Sequence, residues 1–438
     1  MTQKDALELL KLGYSVYLTG EAGSGKTYLL NKYIKSLHKQ KVEVGITAST
    51  GIAATHLGGT TIDSWSGLGM RDEITHSDLI YISQNHNLQK RIKKTKILII
   101  DEVSMLHGKR LDSINKICQA IRKNNSPFGG MQVVLSGDFF QLPPVSEERR
   151  NYDYVYKSNV WHQMNPKIIY LESQYRQTDP VFNDVLSALR ENRIEERIKN
   201  ILHQTINNTF SGSIVPTKLY THNVDVDQIN KNHLDQINQK PYEYVMTAVG
   251  HEKLVEFLKR GCLVPEHLTL KKGAQVMFVR NNYKAGYFNG TVGKVVGFDR
   301  DKTPVVETYE KKKIHVKPDS WNIMENNKIL AEIKQIPLRL AWAITIHKSQ
   351  GMTLSCAEID LSKSFVHGMG YVALSRLRHL KGLRLLGMND LALSVNPEVT
   401  EVDKILRQKS IQAVEDLKKM GWFKRFFARR KFMYHLTS

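Results

Sequence analysis

The sequence contains little cysteine, and its three cysteines are far apart. Cys118, Cys262 and Cys356 form no CxxC pair, and the sixteen histidines do not lie beside them at the spacing of zinc ligands. A disulfide framework and a structural zinc site both depend on such spacings, so we expect neither. The pattern is typical of a protein that works in a reducing compartment.

Long hydrophobic runs are also absent. No stretch approaches the roughly 18 to 20 apolar residues that a membrane-spanning helix needs. Residues 1–12 carry Asp5 and Glu8 and lack the apolar centre of a signal peptide. We therefore expect neither a membrane span nor a targeting segment.

Acidic residues are too few to balance the basic ones. The chain has 43 Asp and Glu against 63 Lys and Arg, a formal net charge of +20 and a pI of about 9.6. Such an excess favours a polyanionic partner, with nucleic acid first and an anionic membrane second. With 438 residues, of which 41% are hydrophobic, the chain can form the cores of two to four domains.

Short apolar runs alternate with helix-like stretches in the first part of the chain, which predicts an α/β domain with a parallel sheet. The runs that we expect to be strands are 15–19, 43–47, 97–100 and 132–136. Residues 66–96 lose this periodicity and are expected to be an insertion. Residues 271–316 are β-rich, and Asn289 and Gly290 predict a hairpin turn between strands at 274–279 and 291–298. The α/β pattern returns at residue 336.

A phosphate-binding pattern, GxxxxGK[ST], occurs once, where an apolar run meets a helical one. Its sequence is GEAGSGKT, residues 20–27. Glycines let backbone amides wrap around phosphates, and the following helix N-terminus adds positive potential. The expected nucleotide contacts are Gly20, Ala22, Gly23, Ser24, Gly25, Lys26 and Thr27. Lys26 is expected to reach the β and γ phosphates of ATP, and the Thr27 hydroxyl to bind Mg²⁺.

Polar residues follow two later apolar runs and complete the predicted chemistry. Asp101 ends the run at 97–100 and is the expected second Mg²⁺ ligand, while Glu102 is placed to act as general base on the attacking water. Gln141 follows the run at 132–136. Two interpretations are open for Gln141: it orients the γ-phosphate, or it is an ordinary turn residue.

The order and wording of these segments resemble superfamily 1 helicases of subgroup 1B, and specifically the PIF family (petite integration frequency). The similar segments are TASTGIAATHLGGTTIDSW at 47–65, the run 100–105, the stretch 112–145 with PFGG and GDFFQLPPV, QYRQTD at 174–179, AWAITIHKSQGMTL at 341–354 and YVALSR at 371–376. They extend over most of the chain, from about residue 7 to residue 386.

The resemblance implies an α/β fold of two RecA-like P-loop NTPase domains with parallel sheets. The first domain would span 1–164, with a 1B wedge insertion at about 66–96. The second, termed 2A, would comprise 165–230 and 336–395. Between its two parts would lie domain 2B, 231–335, with an SH3-like β region, and a basic tail would occupy 396–438.

The resemblance also implies roles for single residues. Arg176 and Arg376 would be arginine fingers that stabilise charge on the transferred phosphoryl group, since a guanidinium binds phosphate bidentately and stays charged. The alternative for each is a surface salt-bridge arginine. Gln141 would be a catalytic, coupling glutamine. Gln3 would contact adenine or, alternatively, would be solvated.

The implied DNA contacts are Thr50, Gly51, His347 and Lys348. Backbone amides and hydroxyls suit phosphate contacts that carry no sequence information. For His347, the alternative is a core histidine. Asp63 departs from the family, which usually has histidine after GGTT, and a carboxylate at that position would repel a phosphate.

The implied activity is that of an ATP-dependent 5′→3′ helicase and translocase on single-stranded DNA, acting on forked duplexes and G-quadruplexes with ATP and Mg²⁺. The expected location is the bacterial cytoplasm, at the nucleoid, with the nucleus and the mitochondrion left open. Two alternatives are a motor resembling RecD or conjugative relaxase helicases inside a larger complex, and a non-motor protein that binds nucleic acid under the control of ATP.

Aromatic and basic residues alternate in the tail, as GWFKRFFARRKF at 421–432. Stacking rings beside cations are typical of single-strand binding. A basic amphipathic helix of this kind also suits a protein partner or a membrane surface. The third interpretation is a helix that packs its aromatic side chains on the body of the protein.

Overall fold

A computed structural model describes residues 1–69, 71–145, 152–177, 179–210, 215–221, 226–282, 284–325 and 328–437. These residues form two compact units. The first comprises Met1–Phe139, Pro143–Tyr175 and Glu398–Ser438, and the second comprises Phe140–Leu142 and Arg176–Pro397. In the described ranges, no helix combines the length and the apolar character needed to cross a membrane.

The first unit is built on a six-stranded parallel sheet. Its elements before the second unit are α1 (Gln3–Lys11), β1 (Val16–Gly20), α2 (Lys26–His38), β2 (Val44–Ala48), α3 (Gly51–Leu57), β3 (Thr60–Thr61), α4 (Ile62–Ser66), α5 (His76–Gln84), α6 (His86–Lys94), β4 (Ile97–Asp101), α7 (Gly108–Arg122), β5 (Gln132–Ser136), α8 (Asn159–Met164) and β6 (Lys167–Leu171). The strand order is β3-β2-β4-β5-β1-β6. Every residue of β1, β4 and β5 is buried, as expected for central strands of a parallel sheet with both faces covered.

One boundary of this unit differs from the predicted one. β6 pairs in parallel with β1 from Val16 and Lys167 to Gly20 and Leu171, so the first sheet continues past residue 164. The apolar strand β6 is largely buried in this sheet, so it belongs to the first unit and the predicted boundary at residue 164 is too early.

The insertion at 66–96 is not aperiodic but contains two helices, α5 and α6. Thr75 and Asp78 form a capping box at the start of α5, and Leu88 and Ile92 bury one side of α6. Because each helix has nine residues and only one or two buried positions, the sequence carries little periodic signal.

The second unit contains a four-stranded parallel sheet and a region of antiparallel strands. Its elements are α9 (Pro180–Arg190), α10 (Glu196–Gln204), β7 (Thr217–Tyr220), α11 (Val226–Asp235), β8 (Pro241–Val245), β9 (Thr247–Gly250), α12 (Glu252–Gly261), β10 (His267–Lys271), β11 (Gln275–Phe278), β12 (Val292–Phe298), β13 (Pro304–Thr308), β14 (Lys313–His315), β15 (Asp319–Glu325), β16 (Lys328–Gln335), β17 (Leu338–Leu340), β18 (Ala343–Thr345), β19 (Ala357–Leu361), α13 (Met369–Leu374) and β20 (Leu383–Met388). The parallel sheet has the order β18-β7-β19-β20. A parallel sheet in each unit confirms the predicted α/β fold.

The antiparallel region lies in the chain between β7 and β18 and includes a five-stranded sheet of order β14-β13-β12-β11-β17. β17 pairs with β11, so this region reaches residue 340 and the predicted boundary at 335 is too early. The hairpin of β11 and β12 is present. Asn289 and Gly290 are the central residues of a turn in which the Thr291 amide donates to the carbonyl of Phe288 at 2.9 Å, but this turn lies directly before β12 and not midway between the two strands. Gly290 lies at the entry to β12, where its amide donates to the carbonyl of Phe278 at 2.8 Å.

The C-terminal segment forms two helices of the first unit, α14 (Pro397–Lys419) and α15 (Trp422–Thr437). Ala413 and Leu417 of α14 and Leu436 of α15 join the core that β1 and α2 build. Ser410 also accepts a hydrogen bond from the backbone amide of Tyr170 in β6 at 3.1 Å, by its hydroxyl oxygen. The segment is therefore a packed part of the first unit and not a separate tail.

Candidate nucleotide site and motor motifs

The loop between β1 and α2 has a backbone that only glycine adopts readily. Gly20, Gly23 and Gly25 have φ of +143°, +94° and +89°. A Cβ on Gly20 would lie 2.6 Å from the carbonyl oxygen of Leu171, which belongs to the neighbouring strand. The glycines of the predicted pattern are thus required by this loop, which begins at the C-terminal end of a central strand.

The start of α2 offers donors to an anion. Gly25 is the N-cap and has no side chain to cap the first amides, and the Lys26 ammonium donates to the carbonyls of Gly20 at 2.8 Å and Glu21 at 3.1 Å. The Ser24 hydroxyl is buried and has no hydrogen-bond partner among the described residues. Thr27 is exposed in the first turn. These groups fit the phosphates of a nucleotide.

Asp101 and Glu102 lie at the end of β4, two strands from β1 in the same sheet. Burial raises the pKa of the Asp101 carboxyl, and the Ser136 hydroxyl, the Glu102 amide and the Lys26 ammonium oppose this shift more weakly. Asp101 is therefore within electrostatic reach of Lys26. Glu102 adopts a left-handed conformation, with φ of +54°, which turns the chain out of the strand.

Two side chains border the loop from outside the phosphate-binding pattern. The amide of Gln3 is so close to Gly25 that a Cβ there would lie 2.3 Å from its Nε2, and the ring of Tyr175 lies 3.6 Å from the same point. Gln3 is half-buried beside this loop, and its contact with adenine stays a prediction. Sequence reasoning missed Tyr175, although it belongs to the segment QYRQTD; its ring is 64% exposed beside the loop.

The two candidate arginines meet in the second unit although they are 200 positions apart. Arg176 donates to the backbone carbonyl of Ser375 at 3.1 Å, and Arg376 donates to the Ser375 hydroxyl at 2.9 Å. Arg376 also bonds to the carbonyl of Val372 and is only 1% exposed. The interpretation of Arg376 as a surface salt-bridge residue is therefore wrong.

Gln141 belongs to the same unit, and its backbone lies against the start of α13. Gly368 caps α13, and a Cβ on it would lie 2.5 Å from the carbonyl oxygen of Phe140 and 3.1 Å from that of Gln141. This close approach joins the segment of Gln141 to the helix that precedes Arg376.

A buried cation that sequence reasoning missed supports this junction. The Arg190 guanidinium lies 4.0 Å from the ring centroid of Phe140 and 5.3 Å from that of Tyr371, and it donates to the Tyr371 hydroxyl at 3.0 Å. Arg190 is 3% exposed. Its planar group suits stacking between two rings.

The candidate DNA contacts fall at the ends of two elements. Thr50 is the N-cap of α3, where its hydroxyl accepts from the Ala53 amide at 3.3 Å, and Gly51 is the first residue of that helix. His347 and Lys348 follow β18. His347 is exposed, so the interpretation of a core histidine is wrong, yet partial desolvation by its neighbours lowers the pKa of its imidazole.

Asp63 forms an ion pair within the first unit. Its carboxylate lies 2.7 Å from the Arg110 guanidinium of α7, which also bonds to Asp72 at 2.9 Å and to the carbonyl of Gly69 at 2.8 Å. The charge of Asp63 is thereby neutralised, and Arg110 ties the start of the insertion to α7. The repulsion of a phosphate by Asp63, which the sequence predicted, is correspondingly reduced.

The glycine loop with its acidic strand end, followed in the chain by a second parallel sheet with paired arginines, defines the class of P-loop motor ATPases. Comparisons with known proteins identify the family. The model of PIF1-like helicases matches residues 3–211, and that of the 2B domain of the DNA helicase Pif1 matches residues 253–298.

Three similar proteins illustrate the relationship. The ATP-dependent DNA helicase Pif1 of Psychrobacter sp. is 42% identical, over 96% of this chain and 73% of that protein. Pif1 from Bacteroides sp. in complex with ADP-AlF4 is 29% identical, with a TM-score of 0.80 over 93% of this chain and 96% of the other. Bacteroides Pif1 bound to single-stranded DNA is 30% identical, with a TM-score of 0.62 over 94% and 97%.

The chain belongs to the Pif1 family of ATP-dependent DNA helicases. The resemblance to the PIF family is confirmed, and so are the expectations of an enzyme, of ATP use and of DNA binding. Family membership favours this activity over the RecD-like or relaxase-like motor and over the non-motor protein that we considered.

Proposed function

We propose that the chain is a translocase on single-stranded DNA that moves 5′→3′ and unwinds forked duplexes. The observation that carries the proposal is the glycine loop with Lys26 at the start of α2 and the buried Asp101 at the end of β4 in the same parallel sheet, in a chain of this family. A Bacteroides relative bound to single-stranded DNA supports the substrate class. We include G-quadruplexes among the substrates, and replication, repair, recombination or telomere-type maintenance as the setting.

The nucleotide would be held by the loop, with the carboxylates of Asp101 and Glu102 serving the metal ion and the attacking water. Lys26 would bind the β and γ phosphates, with backbone amides of Gly20, Ala22, Gly23, Ser24 and Gly25 around them. Thr27 and Asp101 would hold Mg²⁺, which when bound neutralises charge on the phosphates. Glu102 would accept a proton from the attacking water.

The base of ATP would lie between Gln3 and Tyr175. Their proximity to the same point at Gly25 supports this assignment, because an amide can read the adenine edge while an exposed ring stacks on its face. Replacing Tyr175 with alanine would then weaken ATP binding more than replacing it with phenylalanine.

Arg176, Arg376 and Gln141 would respond to the γ-phosphate. Support comes from their grouping in one unit, with both arginines on Ser375 and the Gln141 backbone against α13. Loss of the γ-phosphate would change the guanidinium contacts, and α13 would transmit that change.

DNA would be contacted at Thr50, Gly51, His347 and Lys348. A lowered pKa keeps the His347 imidazole neutral near pH 7, so it would act by hydrogen bonding or stacking and not as a cation. Lys348 would supply the charge. Such contacts bind a backbone without reading its sequence.

We propose that the protein works at chromosomal DNA, in the bacterial cytoplasm and nucleoid. Protein partners that dock on the C-terminal helices belong to this proposal as well.

Strand separation on matched duplexes with a 5′ or a 3′ tail tests activity and polarity together. We expect unwinding of the 5′-tailed duplex alone, and unwinding of the 3′-tailed one instead would contradict the direction. Lys26→Ala should abolish DNA-stimulated ATP hydrolysis and spare single-strand binding. Lys32→Ala is the control, since Lys32 is an exposed lysine of the same helix.

The arginines need a substitution that keeps the buried charge. Arg376→Lys should retain ATP binding, measured by fluorescence of a labelled nucleotide, while turnover falls at least tenfold, because an ammonium cannot bind phosphate bidentately. An unchanged turnover number would reject the role of Arg376.

A further inference from the structure

The outer face of α15 carries large aromatic side chains in contact with solvent. Trp422, Phe423, Phe426 and Phe427 are 59%, 71%, 41% and 62% exposed. The rings of Trp422 and Phe426 are stacked, with centroids 5.6 Å apart and an angle of 18°. We call these four residues with Arg430 and Lys431 the aromatic-basic surface.

The C-terminal half of α15 is anchored to the body of the first unit. Arg429 pairs with Glu8 of α1 at 3.1 Å, and Leu436 is buried in the core with Phe432 and Met433 packed against it. The Phe432 ring lies so close to Gly13 that a Cβ there would lie 2.5 Å from it. The helix therefore has one fixed orientation, in which the aromatic-basic surface is directed to solvent.

The charge of this segment is of one sign. No acidic residue follows Asp416 in the sequence. The cations after it are Lys418, Lys419, Lys424, Arg425, Arg429, Arg430 and Lys431. Contiguous exposed aromatic surface is uncommon on a protein that binds nothing there, and the excess of positive charge in this segment favours a polyanion as its partner.

Rings and cations are mixed across the surface and not segregated. With about 100° of rotation per residue, Arg430 projects between Phe426 and Phe427. A helix that lies in a membrane interface separates an apolar face from its cations, and here the core of the first unit already occupies the aliphatic side. Stacking faces with a cation between them fit the bases and phosphates of a single strand.

We propose that the aromatic-basic surface is an accessory binding site for single-stranded DNA. Bases stack on the exposed rings, and phosphates pair with Arg430 and Lys431. The site would act without sequence preference and would hold the strand in addition to the contacts of the motor motifs. It goes beyond the proposed function, because translocation and ATP hydrolysis do not require it.

Trp422 supplies a direct signal. It is the one exposed tryptophan of five, all of which the structure describes. Adding oligo(dT) to the full chain should quench its fluorescence, because a base stacks on the indole. Trp422→Phe should abolish the quench while the affinity, measured by anisotropy of labelled oligo(dT), stays close to that of the parent.

Two double variants test the rings and the charges. Phe423→Ala with Phe427→Ala should weaken oligo(dT) binding at least about tenfold, since the loss of stacking on a single base already has an effect of that size. Ile405→Ala with Ile411→Ala is the matched control, since both side chains are exposed on α14. Arg430→Glu with Lys431→Glu should make the plot of log K for oligo(dT) binding against log salt concentration less steep. The slope should fall in magnitude by about 1.4, or about 0.7 for each lost phosphate contact. The control of equal charge is Lys35→Glu with Lys409→Glu.

ATP turnover at saturating DNA separates this site from the motor. All four double variants should keep the parental turnover number, while the ring and charge variants need more DNA for half-maximal stimulation. Unchanged quench, affinity and salt dependence would overturn the proposal. Two other results for the ring and charge variants would also overturn it. If they kept DNA affinity but lost binding to phosphatidylglycerol vesicles, the occupant would be a membrane. If they kept DNA affinity but converted a dimer to a monomer, the occupant would be a second copy of the chain.

Discussion

Gly368 and Gly58 have nearly the same backbone conformation, with φ of +79° and +73°, and both cap a helix. Their surroundings differ. A Cβ on Gly368 would lie 2.5 Å from the backbone oxygen of Phe140, whereas one on Gly58 would have nothing within 4 Å. The pair therefore separates the cost of a left-handed backbone from the cost of a blocked contact.

We expect Gly58→Ala to lower the free energy of unfolding by about 1 kcal/mol, the cost of the left-handed conformation alone. Gly368→Ala should cost about 2–4 kcal/mol, because overpacking against a backbone atom adds to that strain. It should also reduce ATP turnover, since α13 must move away from the segment of Gln141. Equal unfolding energies in urea would show that the contact at Gly368 is dispensable.

The three cysteines are buried, and burial suppresses their ionisation. The pKa of Cys118 and that of Cys356 rise to about 12, and that of Cys262 to about 11, from an ordinary value near 9. The native state thus holds these protons more tightly than the unfolded state. This difference in pKa contributes to the free energy of unfolding below about pH 9, and the contribution is lost as the pH rises toward 11 and 12.

Native thiols should consequently react slowly with a disulfide reagent at pH 8, with Cys262 first, because only the thiolate is the nucleophile. The same protein in guanidinium chloride should react at the rate of free cysteine. Mass spectrometry of the labelled peptides gives the order. Fast labelling of Cys118 in the native protein would contradict its burial.

At the scale of elements, the junction of α9, α13 and the segment of Gln141 is the feature with a functional consequence. Arg190 ends α9, stacks on Phe140 and bonds to the Tyr371 hydroxyl in α13. The interaction groups the glutamine segment with the helix that leads to Arg376. We therefore interpret Arg190 as a positioning residue.

Removing only the hydroxyl of Tyr371 tests this interpretation. Tyr371→Phe should lower DNA-stimulated kcat about tenfold with little change in KM for ATP, since a hydrogen bond to a charged donor is worth about 1.5–3 kcal/mol. Tyr33→Phe is the control. Tyr33 is an equally buried tyrosine whose hydroxyl bonds to Leu10 and Gln132 in the first unit.

Tyr33→Phe should lower thermal stability and leave kcat unchanged. If both variants reduced stability alone, Arg190 would be a structural residue without influence on catalysis. The division between kcat and KM is the decisive measurement, because loss of packing alone would not produce it.

At the scale of the whole molecule, the C-terminal helices return to the unit in which the chain begins. Val399, Leu406 and Leu417 of α14 are buried, and Glu398 accepts a hydrogen bond from Tyr156 at 2.8 Å. The first unit is thus completed by residues that follow the whole of the second unit in the chain.

Ending the chain after residue 396 should lower the melting temperature of the first unit by roughly 10–25 °C. Three buried aliphatic side chains are lost at about 2 kcal/mol each, and each kcal/mol corresponds to about 2–4 °C in a unit of this size. Ending it after residue 420 removes only α15 and should cost less. Thermal unfolding followed by circular dichroism gives both values. If the protein that ends after residue 396 melted at the same temperature as the parent, the anchoring role of α14 would be contradicted.

Local features of the sequence were sufficient to identify the phosphate loop, the acidic strand end and the predicted strands around them. The strands at 97–100 and 132–136 were found within one residue, and the glycines of the loop have the predicted conformational freedom. Conformation and hydrogen bonding at these positions depend on a few neighbouring residues, which the sequence lists directly. The same holds for the family, since its motifs are short segments.

Only the tertiary structure decided which distant side chains meet. The convergence of Arg176 and Arg376 on Ser375, the stacking of Arg190 and the neutralisation of Asp63 by Arg110 have no local signal. The same applies to α15, whose residues alone do not tell which face packs. Such contacts depend on sheet register and helix packing across up to two hundred residues, and these are properties of the assembled core and not of any one segment.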